Sequence, residues 1–294
     1  MKTCIILLGP TAVGKTPVAI QLARHFKTDI ISADSRQCYR ELNIGVAKPS
    51  PQELAGVKHY FINSHSIHEP VNAALFEELA LGWADEIFKR NDFVIMTGGT
   101  GLYIQAFCEG MDDIPSVSAE IRDEIIASFD EHGMDWLQQQ VKEEDALYFE
   151  KGEMQNPQRL MRALEVKRST GNSILSFRSS KSKERPFNII RLGLDLPRPQ
   201  LYERINHRVD NMMQQGLLQE AASLHEFRKL NALQTVGYTE LFDHIDGQIS
   251  LDKAVDLIKQ HTRNYAKRQL TWFRKDDRVK WFTPGETDRI IQLI

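Results

Sequence analysis

Residues 4–16 read Cys-Ile-Ile-Leu-Leu-Gly-Pro-Thr-Ala-Val-Gly-Lys-Thr. The apolar start predicts a buried strand, and residues 9–16 match the phosphate-binding loop pattern G-x-x-x-x-G-K-[ST]. In such a loop, backbone N–H groups surround phosphate oxygens, the lysine reaches a phosphate and the hydroxyl residue can hold Mg²⁺. We therefore expect a diphosphate or triphosphate to be bound by Gly9, Pro10, Thr11, Ala12, Val13, Gly14, Lys15 and Thr16. The motif alone does not specify the reaction.

The segments that follow predict an α/β core. A helix is expected directly after the loop, over 16–26. Strands are then expected at 29–33, 59–62 and 93–96, alternating with helices at 72–90 and from 102. This alternation is typical of a parallel sheet with helices on both faces. Together with the phosphate loop, it predicts a P-loop NTPase-like core.

Beyond residue 111 the pattern becomes helical. Amphipathic helices are expected at 118–132, 134–142 and 157–169, followed by a charged loop at 179–185 and a strand at 187–192. We therefore expect a mostly helical insertion domain over 112–186, inserted in a core made of 1–111 and 187–294. The core is expected to end in helices at 199–215, 218–229, 237–245 and 251–273.

Charge is unevenly distributed along the 294 residues, whose formal net charge is −3. Residues 112–153 contain thirteen acidic and three basic residues. Residues 158–191 contain nine basic and two acidic residues, and residues 259–280 contain eight basic and two acidic residues. Two basic segments on a mildly acidic protein indicate a localised surface for an anionic polymer. Ordinary solvated helix faces give the same pattern, so charge alone leaves both interpretations open.

Composition argues against several other classes of protein. The three cysteines, Cys4, Cys38 and Cys108, are odd in number and scattered, which favours a reducing compartment, so we expect a cytoplasmic protein. No apolar run approaches the ~20 residues of a membrane span. No Cys/His cluster has the spacing of a zinc site.

A carboxylate at the end of the second predicted strand indicates group transfer. Asp34 stands where the carboxyl ends of parallel strands face a ligand, and there it can accept a proton from an incoming nucleophile. The strand at 93–96 lacks the terminal acid that nucleotide hydrolases use and leads instead into a glycine-rich turn at 97–101. Thr100 in that turn is therefore a candidate ligand contact. A capping role for Asp34 stays open, because Asp-Ser pairs often cap helices.

Four stretches, in order along nearly the whole chain, resemble the tRNA dimethylallyltransferase (tRNA isopentenyltransferase) family. They are the phosphate loop, Ser-Ala-Asp-Ser-Arg-Gln-Cys-Tyr-Arg at 32–40 continuing to Ile-Gly-Val-Ala-Lys-Pro at 44–49, Gly-Gly-Thr-Gly-Leu-Tyr at 98–103, and Ala-Lys-Arg-Gln-Leu-Thr-Trp-Phe-Arg at 266–274. Residues 156–165 and 236–238 are also similar. Val46 stands where the family usually has Thr, and Cys38 varies within its motif.

The resemblance implies transfer of a dimethylallyl group from dimethylallyl diphosphate to N6 of the adenosine immediately 3′ of the anticodon, at position 37. The tRNAs are those that read codons beginning with U, diphosphate is released, and Mg²⁺ on Thr16 is required. Asp34 would be the general base, Lys15 and Thr16 would stabilise the leaving group, and Thr100 and Arg122 would line the reaction channel. The tRNA contacts implied are Asp34, Ser35, Arg36, Gln37, Thr100, Arg122, Gln158, Arg159, Leu160, Met161, Arg162, Lys267 and Arg268.

The expected partners are therefore the anticodon stem-loop of tRNA and dimethylallyl diphosphate. We expect the protein to act as a monomer and not to bind a membrane. Three alternatives stay open. A P-loop small-molecule kinase would turn over ATP, and an adenylate prenyltransferase would use a free nucleotide, but neither needs two basic segments. In a non-catalytic RNA-binding protein, Asp34 would be dispensable.

Overall fold

The computed structural model describes residues 1–178 and 182–294; residues 179–181 of the predicted charged loop lie outside the described residues. The chain divides into two compact units, one formed by 1–110 with 183–294 and one formed by 111–182. Residues 183–186, expected in the insertion, group with the first unit. The reason is that Lys183 N donates to Glu109 O (2.7 Å), while the Arg185 guanidinium donates to Glu77 (2.7 Å) and to the Phe107 carbonyl (2.7 Å).

The first unit contains a six-stranded sheet in which all neighbouring strands are parallel. Its strands are β1 (Thr3–Leu8), β2 (Ile30–Ser32), β3 (His59–Tyr60), β4 (Phe93–Gly98), β5 (Asn188–Leu194) and β6 (Lys280–Phe282), in the order β3-β2-β4-β1-β5-β6. All six residues of β1 are buried, because this strand lies inside the sheet between β4 and β5 and is covered on both faces. The predicted parallel α/β core is confirmed.

Helices make up most of the remaining described chain. They are α1 (Lys15–His25), α2 (Pro51–Gly56), α3 (Ala73–Phe88), α4 (Gly101–Glu109), α5 (Ala119–Glu144), α6 (Ala146–Lys151), α7 (Pro157–Thr170), α8 (Arg198–Gln214), α9 (Leu217–Leu224), α10 (Tyr238–Ile245), α11 (Leu251–Phe273) and α12 (Thr287–Leu293). The helix expected at 218–229 ends early, at Leu224, and a 3₁₀ turn over His225–Phe227 follows it. No helix within the described ranges is long and apolar enough to cross a membrane.

The core of the first unit forms where α1 packs on the sheet. Val18, Leu22 and Ala23 on α1 are buried in one cluster with Ile5 and Leu7 of β1. This packing fixes the start of α1 directly above the carboxyl end of β1, which is where the phosphate loop connects the two elements.

The second unit, residues 111–182, is built around α5 and α7. Ile125, Leu137 and Val141 of α5 are buried together with Leu160 and Leu164 of α7. Within α5, Gly133 has φ 73° and ψ −161°, so the helix is broken between the two segments predicted at 118–132 and 134–142. Only glycine adopts such a backbone conformation without strain.

Candidate active site

The phosphate loop connects β1 to α1 through glycine conformations that other residues do not adopt easily. Gly9 has φ 149° and Gly14 has φ 105°. A Cβ atom on Gly9 would lie 2.6 Å from the Leu194 carbonyl oxygen, so the neighbouring strand β5 leaves no room for a side chain. Gly14 starts α1 without a side-chain cap. The first N–H groups of α1 and its positive dipole end are therefore directed toward a bound anion.

Three cations surround this loop. Lys15 Nζ donates to the carbonyl oxygens of Gly9 (2.9 Å) and Pro10 (2.8 Å). Arg204 and Arg208, one turn apart on α8, donate to the Val13 carbonyl (2.9 Å) and the Thr11 hydroxyl (3.1 Å). None of the three forms an ion pair with a carboxylate of the described residues. Sequence reasoning missed both arginines, although their spacing of four within the helix expected at 199–215 is a possible signal.

Burial lowers the pKa of two of these cations, Lys15 and Arg208. Burial lowers the pKa of Lys15 from 10.5 to about 7; the Asp34 carboxylate opposes this change and Arg208 adds to it. Burial also lowers the pKa of Arg208, again opposed by Asp34. Desolvated cations without a counter-ion are costly, and a bound anion would relieve that cost. The electrostatics therefore favour a strongly anionic ligand at the loop.

Asp34 and Thr100 lie together at the ends of two neighbouring strands, β2 and β4. One Asp34 carboxylate oxygen accepts hydrogen bonds from the backbone N–H groups of Arg36 (2.9 Å) and Gln37 (3.3 Å), closing a turn. The Thr100 hydroxyl oxygen accepts from Ser35 N (3.0 Å) and its hydroxyl donates to the Ser35 hydroxyl (3.3 Å). The structure thus brings Asp34, Ser35 and Thr100 together, and Asp34 combines a turn-forming role with a place in the lining of a cavity.

Gln37 and Arg36 hold neighbouring segments. The Gln37 side-chain amide donates to the carbonyls of Val46 (3.2 Å) and Ala47 (3.1 Å), which holds the loop at 44–49 against the segment that contains Asp34. The Arg36 guanidinium donates to Asn231 Oδ1 at 3.3 Å. Both side chains therefore have structural contacts at this edge of the sheet.

Gln269 on α11 connects the phosphate loop to the second glycine-rich turn. Its side-chain oxygen accepts from Thr11 N (2.8 Å), and its amide donates to the Gly99 carbonyl (2.9 Å). A Cβ atom on Gly99 would lie 2.2 Å from that amide nitrogen. Sequence reasoning did not assign Gln269 to the site, although it lies within the family-like stretch at 266–274.

Two cavities adjoin at this edge of the first unit. One, of about 380 Å³, lies beside the phosphate loop, and its lining includes Lys15, Thr16, Arg204 and Gln269. The other, of about 580 Å³, is lined by α8, α10 and α11. The residues common to both cavities are Thr11, Asp34, Val46, Ala47, Arg208 and Tyr265. An anion in the first cavity and a nucleophile in the second would therefore meet beside the Asp34 carboxylate.

The second cavity has a buried acid in its wall. Glu240 is 3% exposed and accepts from Gly237 N (2.7 Å) and the Thr239 hydroxyl (3.1 Å). Its other oxygen lies 2.6 Å from Nδ1 of His261, which also lines the cavity. The pair fixes His261 on α11 at the wall of this cavity.

The remaining predicted site residues lie in the second unit, residues 111–182, which we call the helical unit. Arg122 on α5 and Arg162 on α7 both donate to the buried Glu165 carboxylate, at 3.2 Å and 3.0 Å. Gln158 and Arg159 are exposed. Leu160 and Met161, expected as tRNA contacts, are buried in the apolar core of this unit. That expectation is corrected, because side chains packed in a core do not contact a polyanion.

Lys267 and Arg268 are exposed on α11 of the first unit. Neither forms an ion pair with a carboxylate of the described residues, unlike Lys259 and Arg274 on the same basic segment, which bind Asp210 (2.5 Å) and Asp195 (2.6 Å). The charges of Lys267 and Arg268 are therefore available to an anionic partner.

Comparison with known proteins identifies close relatives of this chain. The sequence model of a family described as IPP transferase matches residues 37–276. The chain is 46% identical over 293 residues to the tRNA dimethylallyltransferase of Cytophaga hutchinsonii, covering 100% of this chain and 96% of that protein. It is 43% identical over 293 residues to tRNA dimethylallyltransferase 1 of Bacteroides fragilis, covering 100% of this chain and 97% of that protein.

Solved structures are similar as well. The tRNA isopentenylpyrophosphate transferase of Bacillus halodurans is 34% identical with a TM-score of 0.73, over 100% of this chain and 95% of that chain. A eukaryotic dimethylallyltransferase acting on tRNA is 27% identical with a TM-score of 0.73, over 92% of this chain and 70% of that chain.

Proposed function

Because the chain belongs to the IPP transferase family, we propose that it transfers a dimethylallyl group from dimethylallyl diphosphate to tRNA. The acceptor is N6 of the adenosine immediately 3′ of the anticodon, position 37, in tRNAs that read codons beginning with U. Diphosphate is released. The observation that carries this proposal is the position of Asp34, which lines both the phosphate-loop cavity and the adjoining cavity.

The donor binds in the phosphate-loop cavity. Its diphosphate takes the hydrogen bonds of the loop N–H groups and of Lys15, Arg204 and Arg208. These three cations beside the loop form no ion pair with a carboxylate of the described residues. Apolar side chains in the same cavity suit the five-carbon dimethylallyl chain; these are Val46, Ala47, Pro49 and Ile62.

The acceptor adenine enters from the second cavity, which requires that it leaves the stack of the anticodon loop. Its N6 is a weak nucleophile because the lone pair is delocalised into the ring. N6 attacks C1 of the dimethylallyl group, the C1–oxygen bond breaks, and the electron pair leaves with the diphosphate. Asp34 accepts the N6 proton as the C–N bond forms. Lys15 and Arg208 stabilise the charge that grows on the leaving diphosphate.

Mg²⁺ fits the site as an ion shared with the donor. The described residues contain no cluster of three or more His, Cys, Asp or Glu side chains that could hold a metal alone. Thr16 lines the phosphate-loop cavity, and Mg²⁺ commonly binds through few protein ligands together with water and phosphate oxygens. Thr16 would supply the hydroxyl ligand, and the ion would neutralise charge on the diphosphate.

Candidate tRNA contacts are assigned in each unit separately. In the first unit we assign Asp34, Ser35, Arg36, Gln37, Thr100, Lys267 and Arg268 to the acceptor, and in the helical unit Arg122, Gln158, Arg159 and Arg162. Leu160 and Met161 are excluded because they are buried. The helical unit is thus proposed as a tRNA-binding insertion domain. We further propose that the enzyme acts as a monomer and that it acts in the cytoplasm.

The test is a reaction of purified protein with dimethylallyl diphosphate, Mg²⁺ and an adenosine-37 tRNA that reads codons beginning with U, without ATP. Mass spectrometry of the digested RNA should show N6-dimethylallyladenosine at position 37 only. The matched control is the same tRNA with guanosine at position 37, which should stay unmodified. A requirement for ATP, or formation of ADP in proportion to product, would contradict the proposal in favour of a kinase.

A further inference from the structure

Helix α11 presents an open basic groove that adjoins the second cavity, with which it shares Asn264 and Arg268. The groove is about 370 Å³ in volume and is lined by Asn264, Lys267, Arg268, Thr271, Trp272 and Lys275. Lys267, Arg268 and Lys275 form no ion pair with a carboxylate in the described part of the chain. The groove therefore has uncompensated positive charge, which is complementary to a phosphate backbone.

Trp272 is an exposed aromatic residue in this groove whose side chain is held in place. It keeps 40% of its surface exposed. A Cβ atom on Gly101 would lie 2.3 Å from the indole Nε1, so one edge of the ring packs directly on the backbone of Gly101. Gly101 follows Thr100, whose hydroxyl is bonded to the turn that contains Ser35. The ring is thus fixed beside the candidate active site while much of it faces solvent.

A second exposed aromatic residue connects Trp272 to the active site. Tyr265, 37% exposed, lines both cavities and precedes Trp272 by seven residues, which places the two rings on the same side of α11. Two helical turns separate them by about 10 Å along the helix. Arg268 lies between them in sequence, with its guanidinium 5.8 Å from the centre of the Tyr265 ring. Aromatic and cationic side chains therefore alternate along α11, starting at the active-site cavities.

We propose that Trp272 stacks on the base of a nucleotide next to the target adenosine in the anticodon loop, and that Lys267, Arg268 and Lys275 bind the adjoining phosphates. This inference rests on the proposed function, which makes tRNA the acceptor. When adenosine 37 leaves the stack, its neighbours lose a stacking partner, and an exposed indole beside the active site replaces it. Aromatic stacking is the common way in which proteins bind unstacked bases of RNA loops.

The exposed ring also favours a loop over a duplex as the occupant. Proteins bind A-form duplexes mainly through phosphates and 2′-hydroxyl groups, to which an indole adds little. A groove that served only the stem would need its cations and not the fixed ring.

The experiment measures equilibrium binding of a labelled anticodon stem-loop, without dimethylallyl diphosphate. Trp272→Leu should weaken binding about five- to hundredfold, the usual range for one base–aromatic stack, whereas Trp272→Phe should retain most of the affinity. Stem-loops that lack the base at position 36 or at position 38 complete a double-mutant cycle. At one of these positions, Trp272→Leu should cause no further loss, because the stacking partner is already absent.

Several outcomes would overturn the proposal. One is unchanged affinity in Trp272→Leu, and another is an equal loss on the intact and both abasic stem-loops. Trp272→Gln, which suits an exposed position, repeats the cycle so that the result does not depend on the folding of one variant. Wild-type protein that binds the stem-loop without modifying it would contradict only the proposed reaction. Wild-type protein that does not bind it would contradict both proposals.

Discussion

At the phosphate-loop edge of the first unit, Lys15 donates to backbone carbonyls and Arg208 donates to a hydroxyl oxygen. In the helical unit, Arg168 donates instead to the Glu144 carboxylate at 2.6 Å and is also bound by Glu124 at 3.3 Å. The Arg208 guanidinium thus has a neutral oxygen partner in one region, and the Arg168 guanidinium has carboxylate partners in the other.

The difference separates cations that can bind a ligand from cations that stabilise the fold. A desolvated cation with only neutral hydrogen-bond partners carries an unrelieved desolvation cost, which is visible in the lowered pKa of Lys15. An anionic ligand recovers that cost on binding. Arg168 is already paired: its hydrogen bonds to Glu144 raise its pKa, and the Glu144 carboxylate compensates the charge of the guanidinium.

The largest expected effect concerns Asp34, whose carboxylate lines the phosphate-loop cavity. Asp34→Asn keeps the size of the side chain but cannot accept a proton, so we expect kcat to fall about 10²–10⁴-fold. The rate of N6-dimethylallyladenosine formation in a single turnover measures this loss. The matched control is Asp92→Asn at an exposed ion pair with Lys2, which should leave the rate unchanged. Retention of more than half the activity in Asp34→Asn would remove it from the role of base.

Arg208 and Arg168 give a direct exchange test of the two kinds of cation. Arg208→Met should raise KM for dimethylallyl diphosphate about ten- to hundredfold, because a charged hydrogen bond to the diphosphate is lost. Arg168→Met should leave that KM unchanged and lower the free energy of unfolding by about 1–2 kcal/mol, since Glu144 loses its partner. Steady-state kinetics and denaturant unfolding measure the two effects. The reverse pattern would break the comparison.

The pH dependence of donor use should follow Lys15, whose pKa is lowered to about 7. In the free enzyme its ammonium group is charged below that pH and loses its proton above it. Donor capture needs the charge, so kcat/KM for dimethylallyl diphosphate should fall as pH rises above about 7, by up to about tenfold per unit. Lys15→Arg should remove this alkaline decrease, because a guanidinium stays protonated. An identical pH profile in Lys15→Arg would show that another group titrates.

The local parts of the fold could be predicted from the sequence. The loop at 9–16 dictates a strand, a glycine turn and a helix, and the break at Gly133 separates the two helices predicted in α5. The strand β6 and the helix α12 could not be predicted, because three and seven residues are too short to show a periodic pattern.

The missed site residues depend on tertiary contacts. Arg208 and Gln269 reach Thr11 across 197 and 258 residues, so no local pattern reports their roles. Resemblance to a family does not separate packing residues from contact residues, as Leu160 demonstrates by its burial in the helical unit. Nor does a count of charges reveal which cations are paired. The segments 158–191 and 259–280 have similar charge in sequence, yet Arg168 forms ion pairs with carboxylates and Lys267 forms none among the described residues.

The smallest expected effect tests this last distinction. Each Lys267 contact with an RNA phosphate releases counterions, so Lys267→Ala should reduce the slope of log affinity against log salt concentration by about 0.7–0.9. The affinity for the anticodon stem-loop should fall only severalfold at moderate salt, because other cations on α11 remain. Arg168→Met removes the same unit of charge from the other basic segment, but its guanidinium is held by carboxylates, so its salt slope should match that of the wild type. Binding titrations at four or five salt concentrations measure both slopes. Equal slopes in the two variants would mean that ion pairing in the structure does not decide which cations meet the RNA.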